Sequence, residues 1–206
     1  MRSSLITIIS VLCLDQIIKI WIKTSYALHS EIGSLGFIKF QFIENPGMAF
    51  GLTIGGEDAV WGKLILSTFR IIAVIFIAFY IKRLIKSKAN KYFIICVSLI
   101  FAGALGNILD SAFYGMLFSE SIYYPAGISE FLPLEGGYAP FMMGNVVDMI
   151  HFQFYWPEFI PFGLGGNEVF PPVFNIADAS ISIAFVTIIM FYKKIVRDDD
   201  FKFFKK

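Results

Sequence analysis

Three aspartates stand in short runs of small and amide residues that suit acid–base chemistry. Asp110 closes Gly103-Ala104-Leu105-Gly106-Asn107-Ile108-Leu109-Asp110, Asp148 closes Gly144-Asn145-Val146-Val147-Asp148, and Asp178 closes Phe174-Asn175-Ile176-Ala177-Asp178. Two carboxylates brought close cannot both ionise cheaply, so one keeps a proton while its neighbour acts as a base. A single such aspartate would read as a helix cap or half of an ion pair. Three facing a segment, Ser111 to Pro172, that contains no lysine or arginine call for more. Other catalytic classes lack their residues. His29 and His151 are the only histidines, and no HExxH, GxSxG or Cys-His arrangement occurs. Cys13 and Cys96 have no metal-ligand spacing, and no glycine-rich phosphate loop is present.

The elements that must position these acids are membrane helices. The chain is 57% apolar and 16% charged, with mean hydropathy +0.71, whereas soluble domains run near a quarter charged. Four apolar runs, at about 5–22, 64–81, 92–109 and 173–192, approach the roughly 20 helical residues that cross a hydrocarbon core. They predict a single all-α membrane domain over 1–206, with long loops at about 23–63 and 110–172. The first run is read as a retained helix. Asp15, Gln16 and Lys19 interrupt the apolar core a cleaved signal peptide needs, and no small-x-small site follows. Ser10-Val11-Leu12-Cys13 fails as a lipidation site because Leu12 is not small. Arg2, the cluster Lys82, Arg83, Lys86, Lys88 and Lys91, and the lysine-rich C-terminus place both ends and the short link in the cytoplasm. The two long loops then face outside. Basic residues segregated in this way argue for orientation, not for nucleic-acid binding.

The first long loop alternates over Phe37–Ile43 with the period of a strand. Asn45-Pro46-Gly47 follows as a turn, and 48–54 reads as a return strand, so a small outer hairpin or sheet is expected. In the second loop Phe152 to Phe159 is too aromatic for free solvation; it lies along the membrane surface or packs on the hairpin. The run Asp198-Asp199-Asp200 reads as a solvated end. Charges within the helices need reasons, since each costs roughly 2.5–3.5 kcal/mol to insert. Asp15 and Lys19 are spaced to pair on one helix face. Arg70 either snorkels or meets a carboxylate of another helix.

Five motifs in one order carry a family resemblance. Asp15-Gln16-x-x-Lys19, Asn45-x-Gly47-x-Ala49-Phe50-Gly51, Gly103-Ala104-Leu105-Gly106-Asn107-x-x-Asp110, Val146-Val147-Asp148 and Phe174-Asn175-x-Ala177-Asp178 resemble bacterial lipoprotein signal peptidase, signal peptidase II. The resemblance implies an aspartic endopeptidase with Asp148 and Asp178 as its dyad and no metal or organic cofactor. Its substrates would be diacylglyceryl-modified prolipoproteins, cut before the lipidated cysteine at the outer face of the cytoplasmic (inner) membrane. Membrane lipid and cyclic peptide inhibitors of the globomycin type are further expected partners. By the same match Asn45, Gly47, Gly103, Asn107, Asn175 and Ala177 would line or shape the site, with Asp15, Lys19 and Asp110 in support.

Two departures stand out. The family's arginine after the helix-three aspartate is Ser111 here, and Arg70 is the candidate to supply the missing guanidinium. The link to Val146 is expanded by roughly thirty residues, at about 112–143, as a lid, a partner surface or a neutral elaboration. Its lack of basic residues does not suit anionic headgroups. The competing reading is a small proton-coupled transporter or channel subunit using Asp15, Lys19 and Arg70 as a relay. It lacks the internal repeat common among transporters. A membrane assembly factor would leave the motif register unexplained.

Overall fold

The computed structural model describes residues 1–46, 60–123 and 127–201. Gly47, the rest of its motif and the expected return strand at 48–54 lie outside the described residues. Helix α1 (Arg2–Lys23) inverts the pattern of a helix folded in water. It buries Ser4, Asp15, Lys19 and Lys23 and exposes Leu5, Ile6, Ile9, Leu14 and Ile17. Such a face is stable only where the surroundings are apolar and polar groups find partners inside. Helix α2 (Val60–Lys86) and helix α3 (Lys91–Leu109) follow, and α3 starts on Asn90, whose side chain accepts from the Tyr92 N–H. The helical path continues past α3 through a π turn at Asp110–Tyr114 and a short turn α4 (Gly115–Leu117). Helix α5 (Ile176–Ile195) begins only after Asn175, which caps it. Three of these stretches, Arg2–Lys23, Lys91–Leu117 and Ile176–Ile195, are long and apolar enough to cross a membrane.

Helix α3 is central, packed against α1, α2 and α5. Two glycines permit the approach. A Cβ on Gly103 would collide with the Ala177 carbonyl and the Ser180 and Ile181 side chains, and one on Gly106 would sit 2.8 Å from Asp15 Oδ2. Ser4 and Ser98 hydrogen-bond across α1 and α3 at 2.7 Å.

At the far end from the chain termini stands a three-stranded antiparallel sheet in the order β1 (Glu31–Leu35), β2 (Ile38–Asn45), β3 (Val146–Phe152). The expected strand signal over 37–43 is β2. Its described partners are the preceding β1, joined through Gly36 at φ +60°, and β3 from the second loop. Beneath the sheet Ile22, Phe42, Tyr114, Phe118, Val147 and Met149 form one core. A second core joins α2, α3 and α5 near the termini. The inserted segment is laced to the helix end: Leu132 N–H donates to Leu117 O, Tyr138 N–H to Phe118 O, and Ala139 N–H to Gly115 O. Asp198 and Asp199 of the acidic tail are exposed as expected, and the third aspartate departs from expectation. Asp200 is 2% exposed, holding Arg197 at 2.9 Å, and Phe201 packs edge-on against Phe93, because a short 3-10 turn folds it back.

Candidate active site

Strand β3 and the start of α5 bring two of the three aspartates together. In β3, Val147 and Met149 enter the core while Asp148 and Phe152 turn to a cavity, as the two-residue period of a strand requires. Asn175 caps α5 reciprocally: its Oδ1 accepts the Asp178 N–H at 2.9 Å, and its own N–H reaches Asp178 Oδ2 at 3.3 Å. The Asn175 amide also donates to Asp148 Oδ1 at 2.7 Å. One fully buried residue therefore touches both carboxyl groups, Asp148 through its side chain and Asp178 through its backbone N–H. The remaining oxygens are served as well: Asn107 Nδ2 donates to Asp178 Oδ1 at 2.8 Å, and Asn45 Nδ2 to Asp148 Oδ2 at 3.3 Å.

A buried charge cluster sets that arrangement from behind. Lys19 Nζ, wholly enclosed, reaches Asp15 at 2.9 Å, Asp110 at 2.7 Å and Asn107 Oδ1 at 2.9 Å, which uses its three donors. With Asn107 Oδ1 accepting from Lys19, the amide nitrogen must face Asp178. Asp15 Oδ1 accepts the Ala177 N–H at 2.9 Å and so pins the first turn of α5. Asp110 accepts from Gln16 at 2.8 Å and from the Val147 N–H at 3.4 Å, beside Asp148. The expected Asp15–Lys19 pair exists, and Asp110 joins it.

The acids open on a cavity of about 670 Å³ whose lining includes the polar Asn45, Arg70, Asn107, Asp148 and Asp178 and the apolar Phe152, Phe170, Phe174 and Ile181. Burial, with the charge of Asp178 as second cause, pushes the Asp148 carboxyl up to about 7, against the opposing pull of Lys19 and of the Asn45 and Asn175 amides. Arg70 reaches the cavity from α2, within electrostatic range of Asp178 and Asp148. Ser111 turns its hydroxyl back to the Asn107 carbonyl at 3.1 Å. Gly103 and Ala177 lie behind the site, at the α3–α5 contact. Among the described residues no three His, Cys, Asp or Glu side chains gather as a metal site.

One supporting network went unread in the sequence. Lys23, fully enclosed, donates to Glu44 and to Ser121, and Ser121 donates to Glu44 at 2.6 Å. Phe118 and Tyr138 of the inserted region flank the ammonium at 5.5 and 5.0 Å. Asn145 bridges Glu44 at 3.1 Å to Lys63, and its N–H donates to the Tyr138 hydroxyl at 2.7 Å. Glu44 and Asn145 adjoin Asn45 and Val146, so this network holds one edge of the site. The available signal was spacing: Lys23 lies one helical turn beyond Lys19 on the same face.

Known proteins resemble this chain in sequence and in fold. The family described as signal peptidase (SPase) II matches residues 7–194. A lipoprotein signal peptidase of Porphyromonas gingivalis W83 is 40% identical over 195 residues, covering 92% of this chain and 82% of that one. One from Amoebophilus asiaticus is 32% identical over 192 residues, covering 88% and 73%. A solved bacterial membrane enzyme, determined in meso at 2.3 Å, superposes with a TM-score of 0.59 at 23% identity, covering 100% of this chain and 94% of that one, and shares its fold.

Proposed function

The chain belongs to the signal peptidase II family, and from that premise we propose that Asp148 and Asp178 are the dyad of its peptidase reaction. It is an aspartic peptidase that removes signal peptides from prolipoproteins. The observation that carries the dyad is Asn175, whose side-chain amide donates to the Asp148 carboxyl and whose backbone N–H donates to the Asp178 carboxyl, at the wall of one cavity.

The electrostatics divide the labour. Asp148, raised to about 7, carries the shared proton, and Asp178 carries the charge that helps keep it there. Asp178 takes a proton from a water held between the acids, and the hydroxyl adds to the scissile carbonyl carbon. Asp148 gives its proton to the carbonyl oxygen. Asp178 then passes its proton to the departing amide nitrogen as the C–N bond breaks, and Asp148 recovers a proton from the collapsing diol. The substrate is a diacylglyceryl-modified prolipoprotein cut before its lipidated cysteine. Its acyl chains suit the Phe152, Phe170, Phe174 and Ile181 wall, while the peptide meets the polar side. Arg70 stands in for the arginine absent at Ser111 and holds a substrate carbonyl or a globomycin-type cyclic peptide. Helix α2 crosses the bilayer as the fourth span, both termini are cytoplasmic, and the site opens at the outer face of the inner membrane. The lysine and arginine distribution supports that orientation. The transport reading finds no support, since Lys19 is sealed between two carboxylates.

The test is cleavage of a purified diacylglyceryl-modified prolipoprotein by wild type, Asp148→Asn and Asp178→Asn. Cleavage by wild type alone, with all three proteins folded, is expected. Cleavage that survives either substitution removes that aspartate from the dyad.

A further inference from the structure

Residues 154–169 form a hairpin outside the catalytic machinery, and we propose that it is a lipid anchor whose tip enters the leaflet on the catalytic side of the membrane. The hairpin is closed by Val169 N–H to Phe154 O at 2.7 Å, Trp156 N–H to Asn167 O at 2.9 Å and Gly166 N–H to Trp156 O at 3.0 Å. Its base is packed. The Phe154 ring lies 4.4 Å from Phe37 of the β1–β2 turn and 6.3 Å from Phe152, which in turn contacts Phe174 at 5.1 Å.

The tip is the opposite. Phe159 is 82% exposed and Phe162 is 94% exposed. Phe162 also sits at φ +68°, followed by Gly163 at φ +71°. A bulky residue in the left-handed region is strained, and such strain persists where the surroundings reward it. Water gives no reward for holding a phenyl ring outward. An acyl environment does.

Charge and continuity select the occupant. The hairpin carries no lysine or arginine, so it has nothing for an anionic headgroup layer to bind. Of its two acids, Glu168 is turned to His151 at 3.2 Å and to the Tyr155 hydroxyl at 3.3 Å, and Glu158, exposed two residues after Trp156, marks the boundary level above the tip. Tyr155 and Trp156, of the types enriched at the membrane–water boundary, flank the apolar tip. The returning strand leads through Phe170 and Phe174 directly into α5, which exposes Ile183 and Val186 as a membrane-spanning helix does. The tip therefore extends a lipid-facing surface. Because Phe152, Phe170 and Phe174 also line the cavity, seating the hairpin in lipid sets the mouth of that cavity at the level of the acyl chains. The inference depends on the membrane helices and not on the dyad assignment.

The experiment uses the full chain with Cys13→Ser and Cys96→Ala, bearing a nitroxide at Phe159→Cys or Phe162→Cys. The protein is reconstituted in phosphatidylethanolamine–phosphatidylglycerol vesicles. Glu135→Cys, on an exposed loop, is the aqueous reference and Val186→Cys, on α5 away from the cavity, the lipid reference. Collision with oxygen relative to a water-soluble nickel chelate is expected to be several-fold higher at 159 and 162 than at 135, approaching 186. A ratio equal to that at 135 overturns the proposal. So does shielding from both reagents, which would place a second copy of the chain on the tip. Brominated-lipid quenching of Phe162→Trp, measured as a difference from wild type, reads the same depth without a cysteine. Absence of added quenching there also overturns it.

Discussion

Removing the Asn45 amide should move the alkaline limit of activity upward. In the proposed dyad the working proton sits on Asp148, and that proton leaves as pH rises through about 7. The kcat/KM profile of the wild type should therefore fall on its basic side near that value. Raising Asp148 from 3.8 to about 7 means that ionising it costs roughly 4 kcal/mol more than in water, at about 1.36 kcal/mol per pH unit. The Asn45 and Asn175 amides oppose this by donating to the carboxylate. A good hydrogen bond to a charged group contributes about 1.5–3 kcal/mol. The Asn45 contact is long at 3.3 Å, so about 1 kcal/mol is a fair share, equivalent to roughly 0.7 pH unit. Asn45→Ala should thus displace the basic limb upward by that amount, although its maximal rate falls as Asp148 loses a positioning contact. The assay is cleavage of a lipidated prolipoprotein peptide in detergent micelles between about pH 5 and 9.5, with initial rates below KM. A basic limb that stays in place, or moves down, would refute the assignment of the working proton to Asp148.

Four further outcomes follow from the same contacts. A carboxyl raised on folding contributes stability that is fully present below its unfolded value of 3.8 and is lost as pH rises through about 7. Asp148→Asn should therefore abolish cleavage yet raise Tm relative to wild type at pH 9, and calorimetry or a thiol-independent thermal shift reads the sign. Gly106→Ala places a methyl group 2.8 Å from Asp15 Oδ2 and should cost about 1–3 kcal/mol by overpacking, seen as a lower Tm. Lys23→Met leaves Glu44 buried without its cation and should cost about 3–5 kcal/mol, with Glu44→Gln in the same chain recovering much of it. Arg70→Gln should raise KM for lipidated substrate with little change in Tm; unchanged processing would remove Arg70 from substrate binding.

The apolar runs and the placement of lysine and arginine were enough to reveal a helical membrane protein, because insertion free energy is summed residue by residue along a segment. Strand β2 was legible for a similar reason, since alternation over 37–43 is local. The partner of β2 was not: β3 joins it from the second loop about a hundred residues on, and strand pairing leaves little trace in either strand alone. The motif register singles out Asp148 and Asp178 as the proposed dyad, but not what distinguishes them. That difference depends on burial and on the neighbours of each carboxyl group, which α3, α5, β2 and β3 supply together. The same holds for Lys19, which local spacing joins to Asp15 and only the fold joins to Asp110 and Asn107. Beyond its spacing from Lys19, nothing local marks Lys23; only the inserted segment folded over it encloses it with Glu44. One tail residue behaves likewise, Asp200 turning inward to Arg197 while Asp198 and Asp199 stay exposed. Sequence by itself determined the solvent each helix needs and which residues could do the chemistry. Tertiary structure alone decided which charges are neutralised, because electrostatic free energy depends on distance and burial between groups far apart in the chain.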